Sequence, residues 1–406
     1  MNRLLTISDA LVRHARLTPN KVGARDSQRS LTFAQWHQRS QALAGGLQSL
    51  GLVKGDRVAV LAYNRLEWME IYVALAAAGL VAVPINFRLM TPEIDYILAH
   101  SEARALIVQD NLLDRVAGLP AQAHLALEHL IVMGEGQSSR YLAYEEIMAQ
   151  GHGSFKGEPV EPSDLCAIMY TSGTTGRPKG VMRSHEGSTL IATATALEMR
   201  FTPDDVGLMV MPLCHANSLY FSQTFLHLGA TCVIDDSPSF DAERLLTKLA
   251  SERISFTSLV PTHYIMLLAL PEAIKRQHDV TAVDKLMISS APARKDTKLA
   301  IMKFFSNARL HELYGSTEAG WVTLLRPDEQ IDHLGSVGRE WAGSGPIRLL
   351  DENSREVPDG EVGELFSWTP YAFDGYWKNP EKTAEAFRGN WCSVGDMARR
   401  DENGFI

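Results

Sequence analysis

Apolar positions fall into two alternating rhythms along most of the chain. Residues 8–17 and 32–50 carry them at helical spacing, and the second stretch opens at Thr32, a residue suited to N-capping. Short runs at 57–62, 81–84 and 105–108, apolar but for Arg57, read as buried strands. Between the first two, residues 67–78 have helical spacing, and Thr91-Pro92-Glu93 opens a further helix with proline in its first turn. After another strand at 165–169 the alternation resumes. Strands are expected at 206–211, 231–234, 256–260, 285–288 and 309–312, and helices at 218–228, 242–253, 262–270 and 295–305. Strand and helix alternating at this spacing imply parallel sheets covered by helices on both faces.

Past about residue 330 the pattern changes. Brief apolar runs at 347–350 and 363–366 are separated by turn residues such as Asp351-Glu352-Asn353 and Pro358-Asp359-Gly360. These predict antiparallel structure, a smaller barrel-like unit over 331–406 beside two α/β subdomains over 1–330. A chain of 406 residues exceeds one ordinary core, which agrees with such a division. The composition, 45% hydrophobic and 21% charged, is that of a soluble globular protein. The longest apolar run, 71–85, is shorter than a membrane span and holds Gly79 and Pro84; it reads as a buried helix running into a strand. A net charge of −9 argues against a nucleic-acid partner. The cysteines are isolated, with no C-x-x-C, so neither a zinc site nor a disulfide framework is suggested. Asp9, Arg13 and His14 interrupt what a secretory leader would keep apolar, so the expected location is cytoplasmic.

Chemistry concentrates in a few stretches. Residues 170–181 read YTSGTTGRPKGV. Glycines let the backbone turn toward an anion, the hydroxyls of Thr171, Ser172, Thr174 and Thr175 add donors, and Lys179 adds charge; the loop suits phosphate oxygens. It is not the G-x-x-x-x-G-K-[ST] pattern: counting from Gly173, Pro178 stands where the second glycine belongs, and 180–182 reads as strand. Arg177 and Arg183 lie nearby, as phosphate contacts or as a solvated face. Residues 312–318 read ELYGSTE. There Tyr314 offers a flat face to a purine, Gly315 allows close backbone approach, Thr317 can donate to a phosphate and Glu318 is a hard oxygen ligand. Asp396, after a short strand, can accept from two vicinal hydroxyls. The segments bearing Thr171, Pro212, Pro261, Ser289 and Leu313 sit just past the carboxyl ends of predicted strands, where open α/β sheets bind ligands, and are expected to form one crevice.

These motifs resemble those of the adenylate-forming enzymes: acyl-CoA synthetases, aryl-CoA ligases, luciferases and peptide-synthetase adenylation domains. The similarity spans the chain. It implies activation of a small carboxylic acid by ATP to an acyl-adenylate, with coenzyme A as the acceptor. An acyl-AMP ligase serving a carrier protein and a non-catalytic nucleotide-binding protein are the alternatives. It implies that Thr171, Ser172, Gly173, Thr174, Thr175, Gly176 and Lys179 surround the phosphates, and that Thr171 and Glu318 hold Mg2+. Ser290, Ala291 and Pro292, with the stretch Glu312, Leu313, Tyr314, Gly315, Ser316 and Thr317, would flank the adenosine and α-phosphate, and Asp396 the ribose. Thr171, Thr317, Glu318 and His215 take the catalytic roles. The acid is expected among His215, Tyr220, Val260, Tyr264, Ala291 and Gly315, an apolar setting for a fatty or aromatic acid. Residues 212–218 contain no Asp or Glu, so an amino-acid ammonium would lack a counter-charge there. Residues 375–377 and 380–383 also resemble the family and read as structural. The chain ends where family members continue into a small mobile domain, so the reading is of the large N-terminal domain alone. A homodimer is left open.

Overall fold

The computed structural model describes residues 6–119, 125–134, 141–171 and 176–406. Two large sheets dominate. One has seven strands, in spatial order Leu142–Ala143, His129–Met133, Ala103–Gln109, Arg57–Leu61, Val81–Ile85, Leu165–Thr171 and Lys179–Ser184; only the last pair is antiparallel. The other has nine strands, in the order Arg339–Glu340, Gly320–Leu325, Arg309–Ser316, Lys285–Ser289, Phe256–Leu259, Val206–Met209, Thr231–Ile234, Val22–Arg25 and Ser30–Thr32. Its centre is parallel and its two ends are antiparallel.

The period-two alternation of strands explains the layering. In Arg57–Leu61, Val58 and Val60 join a central core with helices Ile7–Leu17, Phe33–Ser49, Glu67–Ala77 and Ala216–Leu228. Ala59 and Leu61 point the other way, to an outer core that includes Ile94, Ile97 and Leu98 of helix Thr91–Ser101. In the second sheet, Met209, Cys232 and Phe256 face the same central layer, while Leu208, Val233 and Leu259 face helices Ala242–Ser251, Pro261–Leu268 and Lys295–Phe304. The result is five layers, helix–sheet–helix–sheet–helix. The apolar run at 71–85 is a buried helix and a buried strand within it. Helix starts follow the expected caps: Thr32 accepts from the Gln35 amide, and the Gln35 side chain returns to Thr32.

Two expectations change. Tyr314, Gly315 and Ser316 are strand, not loop: Arg309–Ser316 runs past Glu312 because Gly320–Leu325 folds back on it and supplies a ladder. The last segment is not barrel-like. Arg348–Leu350, Val362–Phe366 and Met397–Arg399 form an open three-stranded antiparallel sheet, and Phe387–Arg388 pairs with Trp391–Cys392 as a ribbon. Strands of two to five residues are too few and too short to close a barrel.

Candidate active site

The Thr/Gly loop is closed at its base by an antiparallel pair in which Thr171 faces Lys179 and Tyr170 faces Gly180. The Tyr96 hydroxyl donates to Pro178 O (3.0 Å), and the Arg177 guanidinium lies 5.5 Å from the Tyr96 ring. Gly180 must be glycine: a Cβ would stand 2.8 Å from Ile168 and 3.2 Å from the Tyr170 ring. Ser172, Gly173, Thr174 and Thr175 lie outside the described residues. Gly176 is described, and its φ of +145° suits only glycine.

Across from the loop base stands Glu318, almost wholly buried at 6% exposure. Its Oε1 accepts from the Thr171 hydroxyl at 3.4 Å and from the Tyr376 hydroxyl at 3.0 Å. Lys179 Nζ donates to the same Tyr376 oxygen (3.1 Å) and lies 4.2 Å from the ring centroid. Burial, and then the charge of Glu318, pushes the Tyr376 phenol up, so it stays a neutral donor. Tyr376 was read from the sequence as structural; the G-Y-W stretch was visible, but its partner lies 58 residues away. Thr317 is half-buried beside Glu318.

A cavity of about 580 Å³ opens next to this cluster, walled by Ser290, Ala291, Pro292, Tyr314, Gly315 and Asp396 among others. Glu312 and Leu313 contribute to its wall. The Tyr314 hydroxyl donates to Asp396 Oδ2 at 2.7 Å, which leaves Oδ1 free for a ligand hydroxyl. Burial and that bond raise the Tyr314 phenol, which therefore remains protonated. Gly315 has no room for a side chain: a Cβ would lie 2.3 Å from Gly320 O. Ser290 adopts a left-handed φ of +68°, uncommon for a non-glycine residue, right at the strand end. Behind the wall, Lys298 and Glu312 form a buried ion pair at 2.6 Å. The Asn217 amide donates to the hydroxyls of Ser258 and Ser289, each at 3.0 Å, and so ties neighbouring strand ends to a helix start.

Of the strand-end segments expected in one crevice, the one bearing Leu313 lines this cavity and the one bearing Pro212 lines another. His215, Pro212 and Val260 line a second cavity of about 550 Å³ with Arg88, Arg115, Tyr63 and Phe240. His215 is held neutral by burial, with Arg88 lowering it further, and caps the start of helix Ala216–Leu228 without a side-chain bond to it. Tyr220 and Tyr264 line neither cavity. Tyr264 is fully buried, its hydroxyl donating to Met287 O (3.0 Å), and Tyr220 packs edge-on against Trp321. Both lie on the faces of their helices turned toward the core, a direction that helical spacing alone did not decide. Arg183 is not a solvated face: it is 1% exposed.

The model of the AMP-binding enzyme family matches residues 11–377. The chain belongs to the AMP-binding enzyme family. Among its relatives is a feruloyl-CoA synthase of Amycolatopsis sp., 34% identical over 97% of this chain and 76% of that protein. A long-chain-fatty-acid–CoA ligase of Thermus thermophilus is 32% identical over 92% of the chain and 70% of the ligase. The fold matches that of the anthranilate CoA ligase AuaEII in complex with anthranoyl-AMP at a TM-score of 0.91, with 26% identity, over 100% of this chain and 77% of that one. It matches the N-terminal domain of FACL13 from Mycobacterium tuberculosis at 0.89, with 25% identity, over 99% of both chains. The five-layered fold of this AMP-binding enzyme thus superposes on that N-terminal domain over nearly its whole length. No helix among the described residues is long and apolar enough to cross a membrane. Its four cysteines are buried and free.

Proposed function

We propose that the chain works as an AMP-forming acyl- or aryl-CoA synthetase, joining a carboxylic acid to AMP at the expense of ATP and passing the acyl group to coenzyme A. The observation that carries this reading is the juxtaposition of two things. Glu318, Thr171 and Lys179, from segments far apart in sequence, meet at one node, and a nucleotide-sized cavity lies beside it. Adenine sits between residues 290–292 and Tyr314, and the ribose hydroxyls donate to Asp396. The triphosphate runs toward the loop at 171–179.

The donors suit Mg2+. Glu318 is a buried carboxylate next to a hydroxyl, a hard oxygen donor set. Mg2+ takes one or two carboxylates and completes its shell with water and phosphate, so Glu318 and Thr171 would hold it and it would supply charge neutralisation. In a protein of net charge −9, that neutralisation has to be local. The residues do the rest by positioning. A carboxylate oxygen of the acid attacks the α-phosphorus in line and pyrophosphate leaves. Thr317 and Lys179 donate to the phosphate oxygens, and neutral His215 orients the acid from the side of the second cavity. No side-chain nucleophile is required.

The test is acid-dependent exchange of labelled pyrophosphate into ATP over a panel of fatty and aromatic acids, followed by mass detection of the thioester with coenzyme A or with a carrier protein. Exchange that requires an acid supports the reading. ATP hydrolysis indifferent to every acid would remove it, and a thioester on the carrier protein alone would move it to an acyl-AMP ligase.

A further inference from the structure

We propose that Arg183 is a positioning residue for the turn bearing Thr317 and Glu318, an inference that rests on the reading of that turn as the adenylation site. Arg183 belongs to strand Lys179–Ser184, the same strand that carries Lys179 at the mouth of the phosphate loop. The two share a strand face; Lys179 is half-buried and bonded to Tyr376, whereas Arg183 is buried. Its Nη1 lies 3.5 Å from Thr317 O and 3.4 Å from Glu318 O, two consecutive carbonyls of the turn. Its Nε and Nη2 are buried and bond no acceptor. The guanidinium stands 5.3 Å from the centroid of the Tyr220 ring. Arg183 takes part in none of the ion pairs found among the described residues.

Such a group is costly. A buried guanidinium with most of its donors unengaged and no carboxylate partner destabilises a fold, and an apolar residue of similar volume would serve the core better. Long bonds to two carbonyls and one aromatic face recover only part of this. The cost has a use here. One cation bridging both carbonyls fixes the peptide between Thr317 and Glu318, and with it the direction in which the Thr317 hydroxyl and the Glu318 carboxylate leave the backbone. Neutral donors frame the rest of the turn: the Phe373 amide donates to Glu318 O at 2.7 Å, the Ser316 hydroxyl accepts from the Ala319 amide at 2.9 Å, and the Thr369 hydroxyl donates to Ala319 O at 2.7 Å. Arg183 alone among these brings a charge. That charge sits behind an anionic side chain and a polyphosphate, in a water-poor setting where screening is weak.

A space-filling arginine and a positioning arginine predict opposite results for Arg183→Met. The proposal expects the 406-residue Arg183→Met chain to melt no lower than the wild type, because an uncompensated buried charge has gone. It also expects Mg-ATP affinity, read by calorimetry, to fall about tenfold or more. Pyrophosphate-exchange kcat should fall on the order of ten- to hundredfold with little change in KM for the acid, as a misplaced catalytic turn would cause. Arg183→Lys keeps the charge without the planar fork and should recover part of the loss. An Arg183→Met chain that unfolds, or that keeps wild-type Mg-ATP affinity and exchange while Glu318→Gln loses both, overturns the proposal and leaves the site reading standing. A wild-type chain that binds no Mg-ATP removes the site reading and the proposal with it.

Discussion

Lys298 and Glu312 give the sharpest energetic prediction. Lys298 lies on helix Lys295–Phe304 with its side chain fully buried, and its Nζ is 2.6 Å from Oε2 of Glu312, whose side chain is 6% exposed. At an effective dielectric constant near 20, two charges so close attract by roughly 6 kcal/mol, and the desolvation of both ions offsets most of it. Removing Lys298 alone withdraws the attraction and leaves the desolvated carboxylate. Lys298→Met should therefore cost about 3–5 kcal/mol, and Glu312→Leu a similar amount by stranding the ammonium. The double variant, with both charges replaced by apolar groups, should lie within about 1 kcal/mol of the wild type, a coupling far beyond additivity. Burial already raises Glu312 above the ordinary carboxylate range, with Lys298 pulling the other way. Without Lys298 the folded carboxyl rises further. A carboxyl whose folded pKa exceeds its unfolded value favours the fold below the unfolded pKa and loses that contribution as pH climbs through the folded one. The deficit of Lys298→Met must then be smaller near pH 5 than near pH 8. Urea unfolding followed by tryptophan fluorescence at the two pH values measures both effects. Additive single and double variants, or a deficit independent of pH, would refute the argument.

Other outcomes follow from the same geometry. Asp396→Ala should weaken ATP binding about tenfold in calorimetry and leave the melting temperature nearly unchanged, because an exposed side chain is lost and only the Tyr314 bond goes with it. Gly315→Ala places a methyl 2.3 Å from Gly320 O, so the hairpin must shift; a loss of stability of about 1–3 kcal/mol is expected, together with loss of nucleotide binding. Burial depresses His185 and His311 to about 4. Histidines with a lowered folded pKa support the fold fully above their ordinary value of about 6.5 and lose that support as pH falls from there toward 4, so the melting temperature should drop across that window and His311→Phe should flatten the slope. Glu318→Gln should abolish the Mg2+ dependence of ATP binding without unfolding the chain.

Much of this architecture is readable from residue order. Alternating apolar runs mark the central parallel strands of both large sheets to within a few residues, because strands buried on both faces leave little ambiguity; strands nearer the sheet edges, such as Val22–Arg25, His129–Met133 and Gly320–Leu325, go unread. What stays hidden is long-range. The strand holding Glu312 continues to Ser316 only because Gly320–Leu325 lies beside it. Tyr220 and Tyr264 share the helices and loops of the site, yet helical spacing does not reveal which side of a doubly covered helix faces a cavity. Arg183 follows Val181-Met182 and precedes Ser184-His185, and its burial depends on a turn more than a hundred residues away. Tyr376 acquires its role from Glu318 in the same way.

The central claim is that a nucleotide lies across the strand ends with its phosphates at the loop that follows Thr171. A crystal structure of the chain grown with Mg-ATP tests it most directly. Adenine against Tyr314 and residues 290–292, ribose hydroxyls within hydrogen-bond distance of Asp396, and a metal on Glu318 are the predicted findings. Nucleotide bound elsewhere, with Asp396 still closed on Tyr314 alone and no ligand between Glu318 and Thr171, would contradict the account.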